Sequence, residues 1–249
     1  MPNLASKPIV FCDFDGPIVD VSDRYYSTYC LGLREVNEIY QSRQIFLPLK
    51  PLSQETFWYL KQQRVPDVEI ALRSGLRNEQ IDLFLRFVKK FVNQPALLHQ
   101  DCLQPSVRWA LELLHAHGLR LVLVTLRCQT QVAHLLHEYG FDHLFSSVRG
   151  TQEEESAYIN SIERKTRLLQ DAWDTYCQHP KQCPRAWMVG DTEADILAGR
   201  AVGITTVALT CGIRSHSYLA QFKPTCIQTD LLTTAHALVG TSHPSLQAS

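Results

Sequence analysis

A chain of 249 residues is long enough to bury a substantial core, either as one large domain or as one domain carrying an insertion. Its 24 Lys+Arg stand against 25 Asp+Glu for a net charge of -1, and no basic stripe stands out that could neutralise a run of phosphates, which argues against nucleic acid as a partner. The eight cysteines form no Cys-x-x-Cys pair, Met1 to Lys7 is too short and polar for a secretory leader, and no apolar run reaches membrane-spanning length. The expectation is a soluble, cytoplasmic protein with reduced, ordinary buried thiols and no membrane partner.

Ile9-Val10-Phe11-Cys12 is a short, continuously apolar run that stops at the acidic turn Asp13-Phe14-Asp15-Gly16, as suits a central parallel strand whose carboxyl end faces a ligand crevice. From there to Pro105 lie about 85 residues with little strand character, too many for a loop, so the segment reads as an inserted helical module. Tyr26, Tyr29, Leu33, Val36 and Tyr40 repeat at helical spacing, and Ile81, Phe84, Leu85, Val88 and Phe91 do so after Asn78, a plausible N-cap. These aromatics are expected to form the core of the module rather than a ligand cage. Val107, Leu111 and Leu114 mark a helix between Pro105 and Gly118 that feeds a second strand, 119–124, ending at Thr125. Val132, Leu135, Leu136 and Tyr139 then line one helical face before Gly140, a weaker strand covers 144–148, and a third strong strand, 186–189, ends at Gly190-Asp191. Thr192 can cap the helix through Ile196 and Leu197, and 205–209 is a further β-branched strand. The sum is a doubly wound, Rossmann-like α/β core of about five to six parallel strands, residues 1–20 and 101–240, with a helical cap at 21–100 and a frayed tail at 241–249.

Four polar sites fall at or just after predicted strand ends: Asp13 with Asp15, Thr125, Lys165 further on, and Asp191 with Asp195. Each alone has a structural explanation, as a turn or a helix cap. In an open α/β sheet those ends converge on one crevice, and the joint placement points to chemistry. With these residues the chain resembles the haloacid dehalogenase superfamily, on the branch of the phosphoglycolate phosphatases. The first motif reads Asp13-Phe14-Asp15-Gly16-Pro17-Ile18-Val19-Asp20, the second Val124-Thr125, the third Lys165, and the fourth Gly190-Asp191-Thr192-Glu193-Ala194-Asp195.

That resemblance implies a Mg²⁺-dependent phosphatase acting on a small phosphorylated metabolite, as a monomer or homodimer. Asp13 would be the nucleophile and Asp15 the general acid/base. Mg²⁺ would be held by Asp13, the Asp15 carbonyl and Asp191, backed by Asp195, with phosphate held by Thr125, Lys165 and backbone N–H groups near Asp15, Gly16 and Leu126. Mg²⁺ matters because an anionic carboxylate attacking an anionic phosphate needs positive charge between them. The chain departs from the family pattern at Pro17, where Thr is usual, and at Lys165-Thr166, where Lys-Pro is usual; Arg164 and Arg167 adjoin that lysine. A phosphosugar mutase would share this core, and an inactive fold that only binds a phosphorylated ligand or a partner is the alternative from another class. Lys61, Arg73, Arg77, Arg127 and Arg214 are candidates for contacting the rest of a substrate. His115, His117, His134 and His137, and Cys177 and Cys183 flanking His179, match no common zinc pattern.

Overall fold

The computed structural model describes residues 7–152, 156–178 and 183–240. The tail at 241–249 and His179 lie outside them. In chain order the elements are β1 (Ile9–Cys12), β2 (Val19–Asp20), α1 (Ser22–Gln41), α2 (Gln54–Gln62), α3 (Asp67–Arg73), α4 (Glu79–Phe91), α5 (Pro95–Leu98) and β3 (Cys102–Leu103). There follow α6 (Val107–Ala116), β4 (Arg120–Cys128), α7 (Gln129–Glu138), β5 (Phe145–Thr151), α8 (Ser156–Ile159), α9 (Ile162–Tyr176) and β6 (Ala186–Gly190). The chain continues through α10 (Glu193–Val202), β7 (Thr205–Leu209), α11 (His216–Ala220), β8 (Cys226–Gln228) and α12 (Leu231–Gly240).

Six of these strands form one sheet in the order β5-β4-β1-β6-β7-β8, and every neighbouring pair is parallel. The central strand β1 explains the unbroken apolar run of the sequence. Val10 and Cys12 face a core shared with α6 and α12, while Ile9 and Phe11 face a second core with Leu169 and Ala172 of α9. Alternate side chains leave opposite faces of a strand, so a strand covered on both faces needs apolar residues at every position.

The chain leaves and re-enters this core through a two-stranded antiparallel ladder in which Val19 pairs with Leu103 and Asp20 with Cys102. Everything between the two strands is helical or loop. Tyr29, Leu33 and Val36 of α1 pack with Phe57, Ile70, Phe84 and Val88, so the periodic aromatics do form the core of the insert. Gly32 is what lets α1 and α4 approach, since a Cβ there would stand 3.0 Å from the Phe84 ring. Asn78 occupies the N-cap position of α4, but at φ 47° its side chain makes no cap hydrogen bond, and Gln80 instead accepts from the Arg77 N–H at 2.8 Å.

Two further expectations need correction. Thr125 does not end its strand: β4 runs on to Cys128, with an irregular register against β5 between Val124 and Cys128 that re-aims the side chains there. The thiols are not all free, because Cys177 and Cys183 are joined in a disulfide with Cα atoms 4.7 Å apart; among the rest, Cys12 and Cys128 are buried and Cys102 is exposed. No helix of the described residues is long and apolar enough to cross a membrane.

Candidate active site

At the carboxyl ends of β1 and β6 three carboxylates meet. Asp13, Asp191 and Asp195 are all buried, and one oxygen of each lies within 4.8 Å of the others. The local sequence forces this crowding. Gly16, at φ 96°, lies so close to the Asp191 carboxyl group that any Cβ would collide with it, and Gly190 and Gly212 leave equivalent room for Asp195 and Asp191. Glycine is the residue that tolerates both the left-handed backbone and the close approach.

Among the described residues, Lys165 is the cation in contact with this trio, and it touches two of its three acids. Lys165, from the second turn of α9, is 1% exposed and places Nζ 2.8 Å from Asp13 Oδ2 and 2.8 Å from Asp195 Oδ1. Asp195 spends its other oxygen on the start of α10, accepting from the Thr192 N–H at 3.1 Å and the Thr192 hydroxyl at 2.7 Å, the capping box that fixes this helix. Asp13 accepts from the Phe14 N–H at 2.7 Å, and Asp191 Oδ2 accepts from the Ile213 N–H at 2.6 Å. Asp191 Oδ1 is buried without a hydrogen-bond partner. Burial pushes the Asp13 carboxyl up to about 7 even with Lys165 pulling the other way, and burial together with Asp195 and Asp13 drives Asp191 well above the ordinary carboxylate range. Three buried acids, one lysine and one orphaned oxygen make a donor set short of positive charge, and hard carboxylate oxygens suit Mg²⁺.

Two residues along the chain, Asp15 has the opposite surroundings. Arg127 Nη1 donates to Asp15 Oδ1 at 2.9 Å and Arg24 Nη2 to Asp15 Oδ2 at 3.3 Å. Burial alone would raise this carboxyl, and the two guanidiniums outweigh it, holding Asp15 below the usual range. Asp101 faces the same arginines, 2.7 Å from Arg24 Nε and 2.7 Å from Arg127 Nη1.

Asp13, Asp15, Thr125, Leu126 and Asp191 open on one pocket, closed on its far side by Tyr25, Lys61 and Arg64 of the insert and by Tyr158, Asn160 and Arg214 of the core. Its free volume is about 40 Å³, room for no more than a few waters, each needing at least about 10–15 Å³ on the same measure. Insert and core are bridged across it. Glu193 accepts from Arg64 and from Arg214 at 3.0 Å each, Arg214 Nη1 donates to the Lys61 carbonyl at 3.1 Å, and Asp67 accepts from Lys61 at 2.9 Å and from the Tyr158 hydroxyl at 2.6 Å.

The predicted residues thus fall together, with differences of role. The Gly16 N–H donates to the Val19 carbonyl at 2.8 Å, so here it closes its own loop rather than facing a phosphate. Lys165 is the buried cation while Arg164 and Arg167 are exposed, yet its ammonium sits on Asp13 and Asp195 behind the pocket wall rather than in the pocket. Lys61 and Arg214 line the pocket, whereas Arg73 pairs with Glu69 and Arg77 donates to the Leu72 and Leu76 carbonyls, both away from the site. Arg127 lies within β4 and is fully buried. His134 and His137 are exposed and pair with Glu138 and Asp142. Arg24, Asp101, Tyr25, Arg64 and Tyr158 went unremarked in the sequence, where Asp101 sits among loop residues and Arg24 reads as one more charge on a helix.

The chain is similar to known proteins. The family model of haloacid dehalogenase-like hydrolases matches residues 9–209. The chain is 31% identical over 149 residues to a phosphoglycolate phosphatase of Pasteurella multocida, covering 60% of this chain and 62% of that protein, and 33% identical over 122 residues to one of Aliivibrio fischeri, spanning half of that protein's length. Over nearly its whole length, 98% of this chain and 96% of the relative, it is 25% identical to the probable phosphatase IndB of Dickeya dadantii. The crystal structure of a predicted phosphoglycolate phosphatase from Haemophilus somnus shares the fold with a TM-score of 0.64, at 24% identity over 95% of this chain and all of that one. With a family model spanning five of the six strands of the main sheet and both acidic motifs, the chain belongs to the haloacid dehalogenase-like hydrolase family.

Proposed function

We propose that the protein is a Mg²⁺-dependent phosphatase that hydrolyses a small phosphorylated metabolite through an aspartyl-phosphate on Asp13. The observation that carries this is the buried trio Asp13, Asp191 and Asp195, with the unpartnered Asp191 Oδ1 and one lysine against three acids. Asp13, Asp191 and the Asp15 carbonyl would hold Mg²⁺, and Asp195, both of whose oxygens are engaged, would back them. Bound there, Mg²⁺ supplies the positive charge that lets a carboxylate approach a phosphate.

The chain's own residues then divide the work. Asp13 attacks phosphorus as Asp15, which must carry a proton at that moment although Arg24 and Arg127 favour its carboxylate form, gives that proton to the departing alkoxide oxygen. Asp15 then takes a proton from the water that attacks the aspartyl-phosphate, which frees phosphate and regenerates Asp13. Lys165 holds the Asp13 carboxylate in place, and Thr125 and the backbone around Leu126 face the transferred group. The insert acts as a cap over residues 21–100. With about 40 Å³ free beneath it, substrate enters only when the cap swings, and closure excludes bulk water during the reaction. The pocket's size and its Lys61, Arg64 and Arg214 wall favour a small anionic substrate over a polymer.

Hydrolysis of p-nitrophenyl phosphate with Mg²⁺, with EDTA, and by Asp13→Asn tests this reading. Phosphate release should require the metal and fall on the order of 10⁴-fold in the variant. Activity that survives both treatments sinks the mechanism.

A further inference from the structure

The mechanism gives Asp15 a proton to carry but leaves unexplained why two buried arginines and a second buried aspartate surround it. Arg24, Arg127 and Asp101 are each entirely buried at the side chain, and with Asp15 they close a ring in which each carboxylate touches both guanidiniums. Arg127 Nη1 is the shared atom, 2.9 Å from Asp15 Oδ1 and 2.7 Å from Asp101 Oδ2. On the other side Arg24 reaches Asp101 Oδ1 through Nε at 2.7 Å and Asp15 Oδ2 through Nη2 at 3.3 Å, while its Nη1 is tied to the Val92 carbonyl at 2.8 Å and Asn93 Oδ1 at 2.7 Å.

The ring is balanced, two charges against two, which is how four ionised groups are tolerated away from water. Its members come from four places. Asp15 is on the catalytic loop and Arg127 on β4 of the core, Arg24 lies in the first turn of α1 just after the chain enters the insert, and Asp101 sits just before β3, where it returns. One oxygen of Asp15 is therefore held from the start of the insert by Arg24 and the other from the core by Arg127, and Asp101, at the insert's return, contacts both arginines.

Resting on the phosphatase reading above, we infer that Asp101 is a positioning residue: through Arg24 and Arg127 it fixes the orientation of the Asp15 carboxyl group, so that when protonated it faces the leaving-group oxygen, and thereby ties proton delivery to the seating of the insert. Asp101 itself does not touch substrate. Arg127 depends on it most, because Asp15 and Asp101 are the two acids its guanidinium contacts, whereas Arg24 keeps Val92 and Asn93. Loss of the Asp101 charge frees Arg127 and lets Asp15 turn.

The consequence depends on the leaving group. An alkoxide needs the proton that Asp15 delivers as its bond to phosphorus breaks, whereas p-nitrophenolate departs with little help. Wild type, Asp101→Asn and Arg127→Lys are compared on p-nitrophenyl phosphate and on alkyl monophosphates that include glycerol 2-phosphate. In both variants kcat/KM, which reports the steps up to leaving-group departure and not the later hydrolysis that both esters share, should fall by about 10²-fold on the alkyl ester, the low end of what a positioned acid contributes, and by several-fold at most on the aryl ester. Equal losses on the two esters, or no loss on either, overturn the inference and leave the phosphatase reading standing. If Asp101→Asn gives no cooperative melt, Arg127→Lys, which keeps the charge, decides by the same ratio. A wild type that cleaves the aryl ester but no alkyl ester also overturns it, and one that cleaves neither removes the phosphatase reading as well.

Discussion

Asp13 and Asp15 are two residues apart on one loop, yet they live in opposite electrostatic worlds. Around Asp13 there is too little positive charge, with three buried acids and Lys165 in contact with two of them, and its carboxyl is pushed up to about 7. Around Asp15 two guanidiniums hold the carboxyl low and a second acid, Asp101, restores the balance. One region lacks a cation and the other is complete within the chain. On the proposed mechanism, this difference is how one short acidic turn supplies two catalytic roles. A group waiting for a metal must be left electrostatically unsatisfied, whereas a group that must keep its orientation through a catalytic cycle needs fixed partners.

The contrast can be broken at Lys165. Replacing it by Met removes the one cation on the acid trio and leaves buried carboxylates uncompensated, a loss of about 3–5 kcal/mol. Denaturant melts of metal-free protein should show a drop of that order, largely reversed by saturating Mg²⁺, which at 1,000 times its Kd adds about 4 kcal/mol. An unchanged metal-free stability would mean that the trio is not short of charge.

Asp191→Asn sharpens the same point with a smaller effect of opposite sign. The amide oxygen can still accept from the Ile213 N–H, but a repelling charge is gone. Without metal the variant should melt above wild type, by about 2–4 °C for each kcal/mol of relief. Added Mg²⁺ should raise the wild-type melting temperature and leave the variant's where it was. A variant that melts lower in metal-free buffer, or still responds fully to Mg²⁺, contradicts the assignment of Asp191 as a metal-holding residue.

The metal-poor half of the site was legible in the sequence and the ring around Asp15 was not, for a physical reason. Asp13 and Asp191 follow apolar runs that must be strands covered on both faces, parallel strands bring their carboxyl ends together, and Asp195 lies in the first turn of the helix that follows, so local pattern and topology suffice to converge them. The insert was legible from a stretch too long to be a loop. Arg24 and Asp101, by contrast, meet across 77 residues of sequence, and nothing in the periodicity of α1 distinguishes a buried arginine from a solvated one. The three-residue strand β8 was missed too, because Cys226-Ile227-Gln228 is too short to show alternation. Gly16 was read for a phosphate-facing N–H, whereas its turn uses that group internally and its lack of a side chain is what matters to Asp191.

The smallest expected effect is on stability against pH, and it follows from the two environments having opposite signs. Asp67 and Glu193 bridge insert and core; burial would raise them, but Lys61 beside Asp67 and Arg214 beside Glu193 hold both below the ordinary carboxylate range. Their stabilisation is complete above that range and is lost as pH falls through it toward their folded values, so acid should loosen the insert first. Asp13 is the reverse case. Its folded value lies above the unfolded one, so metal-free protein loses stability as pH rises from the carboxylate range to about 7. Melting temperature in EDTA should therefore peak in weak acid and decline by a few degrees on both sides. With Mg²⁺ bound the decline toward neutral pH should vanish, because the metal takes the place of the proton, while the acid limb should remain. A metal-free profile that stays flat from pH 5 to 7 would show that Asp13 is not held protonated by its surroundings, and the opposition between the two ends of this loop would have to be redrawn.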